Sequence, residues 1–157
     1  LHGNEKVYNK TDLKFGYRFS SFTENEIITK IKFKCKTGNP LLIKRLKKES
    51  SKKRKSSQPL NYKSAGSIFK NPTNGPAAGY LIDDVGLKGL RIGDAEVSTK
   101  HANFIINHGN AMASDIIELI QIIQKEVFKK HQISLDLEIK LLGFNQSNKK
   151  NIYNAKN

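Results

Sequence analysis

Ser64-Ala65-Gly66-Ser67-Ile68-Phe69-Lys70-Asn71-Pro72 sets two hydroxyls, a glycine, a cation and an amide beside an apolar Ile68-Phe69 pair. Gly66 tolerates positive φ and, having no side chain, lets backbone come close to a ligand. Ser67 can give or accept a proton, Lys70 can hold an anion, and Asn71 can recognise a carbonyl or an amide. The same residue types also build ordinary loops. Both readings expect a short turn at this place.

Working outward toward the C-terminus, residues 77–85 read as a short helix stopped by Gly86, and residues 104–106 as a short strand. The clearest helix is expected over 115–130, with Ser114 as its cap. Asp115 and Glu118 favour its N-terminal dipole, and Lys129 and Lys130 its C-terminal end. Ile116, Leu119, Ile120, Ile123 and Val127 recur at helical spacing, so this stripe faces a core. Leu135, Leu137, Ile139 and Leu141 alternate with Asp136, Glu138 and Lys140, the pattern of a half-buried strand. The Asn/Lys-rich tail over 145–157 has the composition of a disordered segment.

Toward the N-terminus, residues 27–35 are expected to be a strand, with Ile31, Phe33 and Cys35 on the buried face and Lys30, Lys32 and Lys34 on the other. Asn39-Pro40 opens a helix with Pro40 in the first helical position, and a short amphipathic helix is expected over 41–48. Residues 50–57 lose periodicity and read as a charged connector, a domain boundary. The expected fold class is α+β, helices packed on one face of a short sheet. Its parts are 1–38 as the last strands of a preceding domain, 39–58 as helix and basic linker, and 59–144 as the principal domain.

At 157 residues and 37% apolar content, the chain can build one modest core. No apolar run reaches the roughly 20 residues that span a bilayer, which points away from a membrane partner. A single cysteine, Cys35, makes no internal disulfide and fits a reducing cytoplasm. His2, His101, His108 and His131 are scattered without acidic or thiol partners at ligand spacing, so no metal site is expected. The net charge of +14 is concentrated between Lys44 and Lys55, where eight Lys or Arg face only Glu49. That density suits a phosphate backbone, but no aromatic residue is interleaved to stack on bases. A solvated basic helix, or attraction of a small phosphorylated anion, fits better than a nucleic-acid partner.

The nonapeptide resembles the signature of the UDP-N-acetylenolpyruvoylglucosamine reductase family, also called UDP-N-acetylmuramate dehydrogenase. Four further segments resemble that family in its own order. They are Gly16-Tyr17-Arg18-Phe19-Ser20, then Ala78-Gly79-Tyr80-Leu81-Ile82-Asp83 running on to Gly86-Leu87-Lys88-Gly89. After these come Ala95-Glu96-Val97-Ser98 with His101-Ala102-Asn103-Phe104, and lastly Leu135-Asp136-Leu137-Glu138-Ile139-Lys140. The resemblance implies a cytoplasmic oxidoreductase of peptidoglycan synthesis that uses FAD and NADPH to reduce UDP-N-acetylglucosamine enolpyruvate. By position it assigns Arg18, Ser67 and Glu138 to catalysis, Ser67 as proton donor and the other two as stabilisers of the enolic intermediate. It assigns Tyr17, Asn71, His101 and Lys140 to substrate binding, and Arg54 to the neighbourhood of the cofactor. The family carries its FAD domain at the N-terminus, and nothing before residue 16 resembles it. The chain is therefore expected to be a C-terminal part that needs a flavin domain, in cis or in trans.

Three positions depart from the family pattern. Ser57 stands where lysine usually precedes Gln58-Pro59, Asp94 where a second glycine is usual, and Lys140 where arginine ends the acidic strand. Lysine keeps the charge but loses bidentate geometry. An inactive remnant and a basic nucleic-acid-binding module remain the alternatives at this point.

Overall fold

The computed structural model describes residues 3–23 and 25–143, and two compact units divide the chain, Leu1–Asn39 and Pro40–Asn157. The tail expected to be disordered, 145–157, lies outside the described residues.

In the first unit a two-stranded hairpin pairs β1 (Phe15–Gly16) with β2 (Phe19–Ser20), leaving Tyr17 and Arg18 as its turn. Aromatic edges hold the unit locally, Phe22 meeting Tyr8 at 5.7 Å and Phe15 at 6.4 Å between ring centroids. The Tyr8 hydroxyl donates to Glu26, and with the Thr23 amide it holds that carboxyl below the usual range. None of the unit's described residues is buried. The strand expected over 27–35 does not form, and Ile27, Ile31 and Phe33 are exposed. Alternation alone makes no strand, because each N–H and C=O of a ladder needs a neighbouring strand. None of the described residues supplies one. Cys35, expected to be buried, is exposed for the same reason.

The second unit opens with α1 (Pro40–Ser57), which runs nine residues beyond the expected 48 and replaces the connector over 50–57. Lys, Arg and Glu are good helix formers, so a charged run without an apolar stripe still winds. Arg45 and Glu49 pair one turn apart at 3.8 Å, and Arg54 Nε donates to Gln58 Oε1 at 3.1 Å. The Lys100 ammonium donates to the Lys55 carbonyl at 2.6 Å, where helix carbonyls lack partners.

Four antiparallel strands follow: β3 (Lys63–Ser67), β4 (Arg91–Ile92), β5 (Ala95–Val97) and β6 (Phe104–Asn107), in the order β3-β6-β5-β4. The stretch expected to be a turn thus begins as strand, over 64–67. Its irregularity is a bulge: Ser64 faces Ile106 and Ser67 faces Phe104, so β3 spends one residue more than β6. Gly66 carries that bulge at φ +85, a conformation open to glycine. Between β4 and β5, Gly93-Asp94 forms a two-residue turn with Gly93 at φ +54. Only that first turn position needs glycine, so Asp94 fits. Its carboxylate accepts from the Asn110 amide at 3.0 Å and from Arg91 at 2.6 Å, which together hold it below its ordinary pKa.

α2 (Ala78–Asp84) and α3 (Ala113–His131) supply the helical layer. The apolar stripe of α3 faces the core as expected, with Leu119, Ile120, Ile123 and Val127 fully covered and Ile116 partly so. Ser114 does not cap it, however. The Asp115 carboxylate reaches back to the Met112 amide at 2.9 Å and does that work. The strand expected at the end of the chain is also shorter than its alternation suggests. Leu135, Leu137 and Leu141 are buried, but among the described residues the only strand bridge here is Phe69 with Leu137, flanked by Glu138 N–H to Ile68 O and Lys70 N–H to Asp136 O, both 2.8 Å. Ile68, Phe69, Leu81, Ile82, Val97 and the α3 stripe form one continuous core. Truncating any of these large side chains to alanine costs about 2–5 kcal/mol.

Candidate functional site

Ser67 ends β3 half-buried, and its hydroxyl makes no hydrogen bond to the described residues. The Gly66 bulge re-aims the chain at this point, as bulges beside functional groups commonly do. Ser67, Asn71 and His101 line one cleft of about 360 Å³, together with Tyr80, Lys88 and Lys100. Three residues singled out in the sequence therefore converge, although 34 positions separate Ser67 from His101.

Each is held by its own local chemistry. Ala77, at the start of α2, has no capping side chain. Asn71 supplies the missing acceptor from six residues upstream, its Oδ1 taking the Ala78 N–H at 3.0 Å. Asn71 thus has a structural duty beside any role toward a ligand. His101 sits on a loop tightened by the buried Ser98, whose hydroxyl accepts from the Lys100 and His101 amides at 3.2 and 3.3 Å. Its Nδ1 accepts from the Asn103 amide at 3.3 Å, which places the ring proton on Nε2. The ring lies edge-on to Phe104 at 4.8 Å. Gly79 gives it room, since a Cβ there would stand 3.2 Å from Cε1.

Burial pushes the His101 pKa down, and the nearby Lys88 charge adds to the effect. The ring is therefore neutral at neutral pH and offers an N–H donor without adding charge. The sign of the consequence is definite. A base with a folded pKa below its ordinary 6.5 costs the fold nothing above that value and costs stability as pH falls through the folded pKa. Lowering the pH from about 7.5 to about 5.5 should depress the thermal midpoint of the native chain more than that of His101→Gln. Parallel midpoint-versus-pH curves for the two would refute it.

The other expected site residues stand elsewhere. Glu138 is half-buried and joined to the serine strand through its backbone, its N–H bonded to Ile68 O at 2.8 Å. Lys140 lines a different, mainly apolar groove with Ile68, Ile116 and Leu141. Arg54 lies on α1. Tyr17 and Arg18 belong to the first unit, with the guanidinium 5.4 Å from the Tyr17 ring centroid. Arg18 sits at φ +54, a left-handed position rare for a residue with a side chain. Sequence reasoning passed over Tyr80, Lys88, Lys100 and Asn103. All but Lys100 fall inside the quoted segments, and a polar Asn103 amid Ala102 and Phe104 was the available signal. Lys88 is paired with Asp83.

Among the described residues no group of three or more His, Cys, Asp or Glu side chains could hold a metal, and no helix is long and apolar enough to cross a membrane.

Residues 58–142 match the family described as UDP-N-acetylenolpyruvoylglucosamine reductase, C-terminal domain. A UDP-N-acetylenolpyruvoylglucosamine reductase of Exiguobacterium sibiricum is 47% identical over 133 residues, covering 84% of this chain and 43% of the relative. One of Prochlorococcus marinus is 44% identical over 138 residues, covering 86% of this chain and 46% of the relative. The crystal structure of UDP-N-acetylenolpyruvylglucosamine reductase from Thermus caldophilus superposes with a TM-score of 0.75 at 42% identity, covering 89% of this chain and 49% of that one. The chain spans about half the length of the curated relatives it matches.

Proposed function

The chain belongs to the UDP-N-acetylenolpyruvoylglucosamine reductase family, and on that premise we propose that it is the substrate-handling half of a UDP-N-acetylmuramate dehydrogenase. The observation that carries the reading is the convergence of Ser67, Asn71 and His101 on one polar cleft with Lys88 and Lys100 beside it. In this cleft Lys88 is paired with Asp83 and Lys100 is bonded to the Lys55 carbonyl, which leaves a net positive, donor-rich lining with a neutral imidazole beside it, suited to a phosphorylated, carboxylate-bearing sugar such as UDP-N-acetylglucosamine enolpyruvate.

FAD and NADPH are the cofactors of this reading. The described residues contain no G-x-G-x-x-G loop between a strand and a helix to cradle a dinucleotide pyrophosphate, and so do not by themselves fit FAD. Hydride delivery belongs to a flavin-binding part, present in cis or in trans. This chain's residues supply the charge and proton chemistry. Once C3 of the enolpyruvyl group has received hydride, its former double-bond electrons rest on C2 and spread into the carboxylate. Arg18 and Glu138 stabilise that charge, Glu138 as a protonated or hydrogen-bonding acid. Ser67 gives its hydroxyl proton to C2, completing the lactyl ether, and the serine oxyanion regains a proton from solvent. Tyr17, Asn71 and His101 would contact the substrate, Lys140 would reach it from its own groove, and Arg54 would stand near the cofactor.

The test is a chimera in which this chain replaces the matching half of the Exiguobacterium sibiricum relative, assayed by NADPH oxidation with and without the enolpyruvyl substrate. Substrate-dependent oxidation supports the reading. A chimera that binds flavin but turns nothing over, while the parent relative does, refutes it.

A further inference from the structure

We propose that Asn103 is the positioning residue for Ser67, its side-chain amide acting as one more rung of the sheet beneath the serine. The inference rests on the reading of Ser67 as proton donor. The ladder between β3 and β6 ends at Ser67 opposite Phe104. Beyond it β6 has no further strand residue to offer, because the chain turns back with the Phe104 N–H on the His101 carbonyl at 3.0 Å. The buried core residues Ile68 and Phe69 nevertheless continue inward, and their backbone groups need partners. Asn103 provides all of them on that edge. Its backbone carbonyl accepts from Ile68 N–H at 2.9 Å, its Oδ1 accepts from Phe69 N–H at 2.9 Å, and its Nδ2 donates to Phe69 O at 2.8 Å.

The opposite edge of the same segment is held by residues 136–138, through Ile68 O and Lys70 N–H. Asn103 thus clamps the segment from one side while the Glu138 backbone clamps it from the other, and Ser67 is the residue at the end of the clamp. Asn103 is itself 4% exposed, so water cannot stand in for its amide. The chemistry is restrictive. Leucine has neither donor nor acceptor, glutamine reaches one methylene too far, and ionised aspartate accepts from Phe69 N–H but gives nothing to Phe69 O. A protonated aspartic acid, however, matches asparagine in shape and carries one donor and one acceptor.

That last property makes the experiment selective. Amide exchange at Phe69 and the Ser67 carbon chemical shifts are followed by NMR in the native chain, Asn103→Leu and Asn103→Asp. Exchange at Ile123 in α3 serves as the monitor of global opening. At neutral pH both variants should lose about tenfold or more of the Phe69 protection, measured relative to Ile123, and displace the Ser67 shifts. In Asn103→Asp, whose buried carboxyl titrates above the ordinary range, acidification to about pH 5 should restore both signals toward native values. Asn103→Leu should not recover. If Asn103→Leu fails to fold, the acid recovery of Asn103→Asp decides alone. Native protection and Ser67 shifts in either variant at neutral pH, or loss without acid recovery in Asn103→Asp, would overturn the proposal. Neither readout needs turnover, so an inactive chimera would refute the reductase reading and leave this result standing apart from it.

Discussion

Ser67→Ala in the active chimera should lower turnover roughly 10²–10⁴-fold, the range set by losing a positioned general acid. Substrate affinity and thermal midpoint should stay close to those of the parent. The separation follows from the structure. The Ser67 hydroxyl has no hydrogen-bond partner among the described residues and is half-buried, so its removal orphans nothing and opens no cavity of consequence. What is lost is only the proton at the end of β3. Steady-state kinetics of NADPH oxidation, with a binding isotherm for the UDP-sugar and a melting curve, distinguish the outcomes. An unchanged turnover would remove Ser67 from the mechanism. A loss that follows the melting temperature would reassign it to the fold.

Gly93→Ala should be the most damaging single methyl in the second unit. Two costs coincide at this position. Gly93 holds φ +54, which alanine adopts at a cost of about 1–2 kcal/mol. A Cβ there would lie 2.5 Å from Asp115 Oδ2, well inside contact distance. That oxygen accepts the Met112 N–H at the start of α3, so the carboxylate cannot swing away without uncapping the helix, worth about another 1 kcal/mol. Together these predict a loss of about 2–4 kcal/mol and a fall in melting temperature of roughly 10 °C. The double variant Gly93→Ala with Asp115→Ala should be less destabilised than the sum of the singles, because the cap is lost only once. An unaltered melting temperature in Gly93→Ala would refute the account. Gly66→Ala makes a useful contrast, since Gly66 has a positive φ but no atom within 4 Å of a Cβ.

The neutral His101 and the Asn71 cap bear on how such experiments are read. Asn71→Ala is expected to weaken substrate binding under the proposed function, but it also strips α2 of its acceptor at Ala78. A change at Asn71 therefore carries information about the site only after its effect on stability, about 1 kcal/mol for a lost cap, has been measured.

The sequence by itself determined whatever a few contiguous residues can specify. The spacing of Leu119, Ile120, Ile123 and Val127 defines the buried face of α3, Pro40 opens α1, Gly86 follows the end of α2, and Gly66 takes the positive φ that its lack of a side chain permits. Five ordered segments also sufficed to identify the family. Tertiary structure decided everything that needs a partner distant in the chain. Alternation over 27–35 gave no strand because no backbone among the described residues pairs with it, whereas the alternation around Leu137 gave one bridge because Phe69 was there to receive it. The cap of α3 went to Asp115 rather than Ser114 within a single turn, a local choice, whereas the cap of α2 came from Asn71, which the preceding loop folds back onto the Ala78 N–H. The joining of Ser67 to His101 in one cleft, and the clasp of Asn103 on Phe69, are of the same kind. Hydrogen bonding and burial act over a few ångströms in space, and only the folded chain brings residues 67, 71, 101 and 103 within that range.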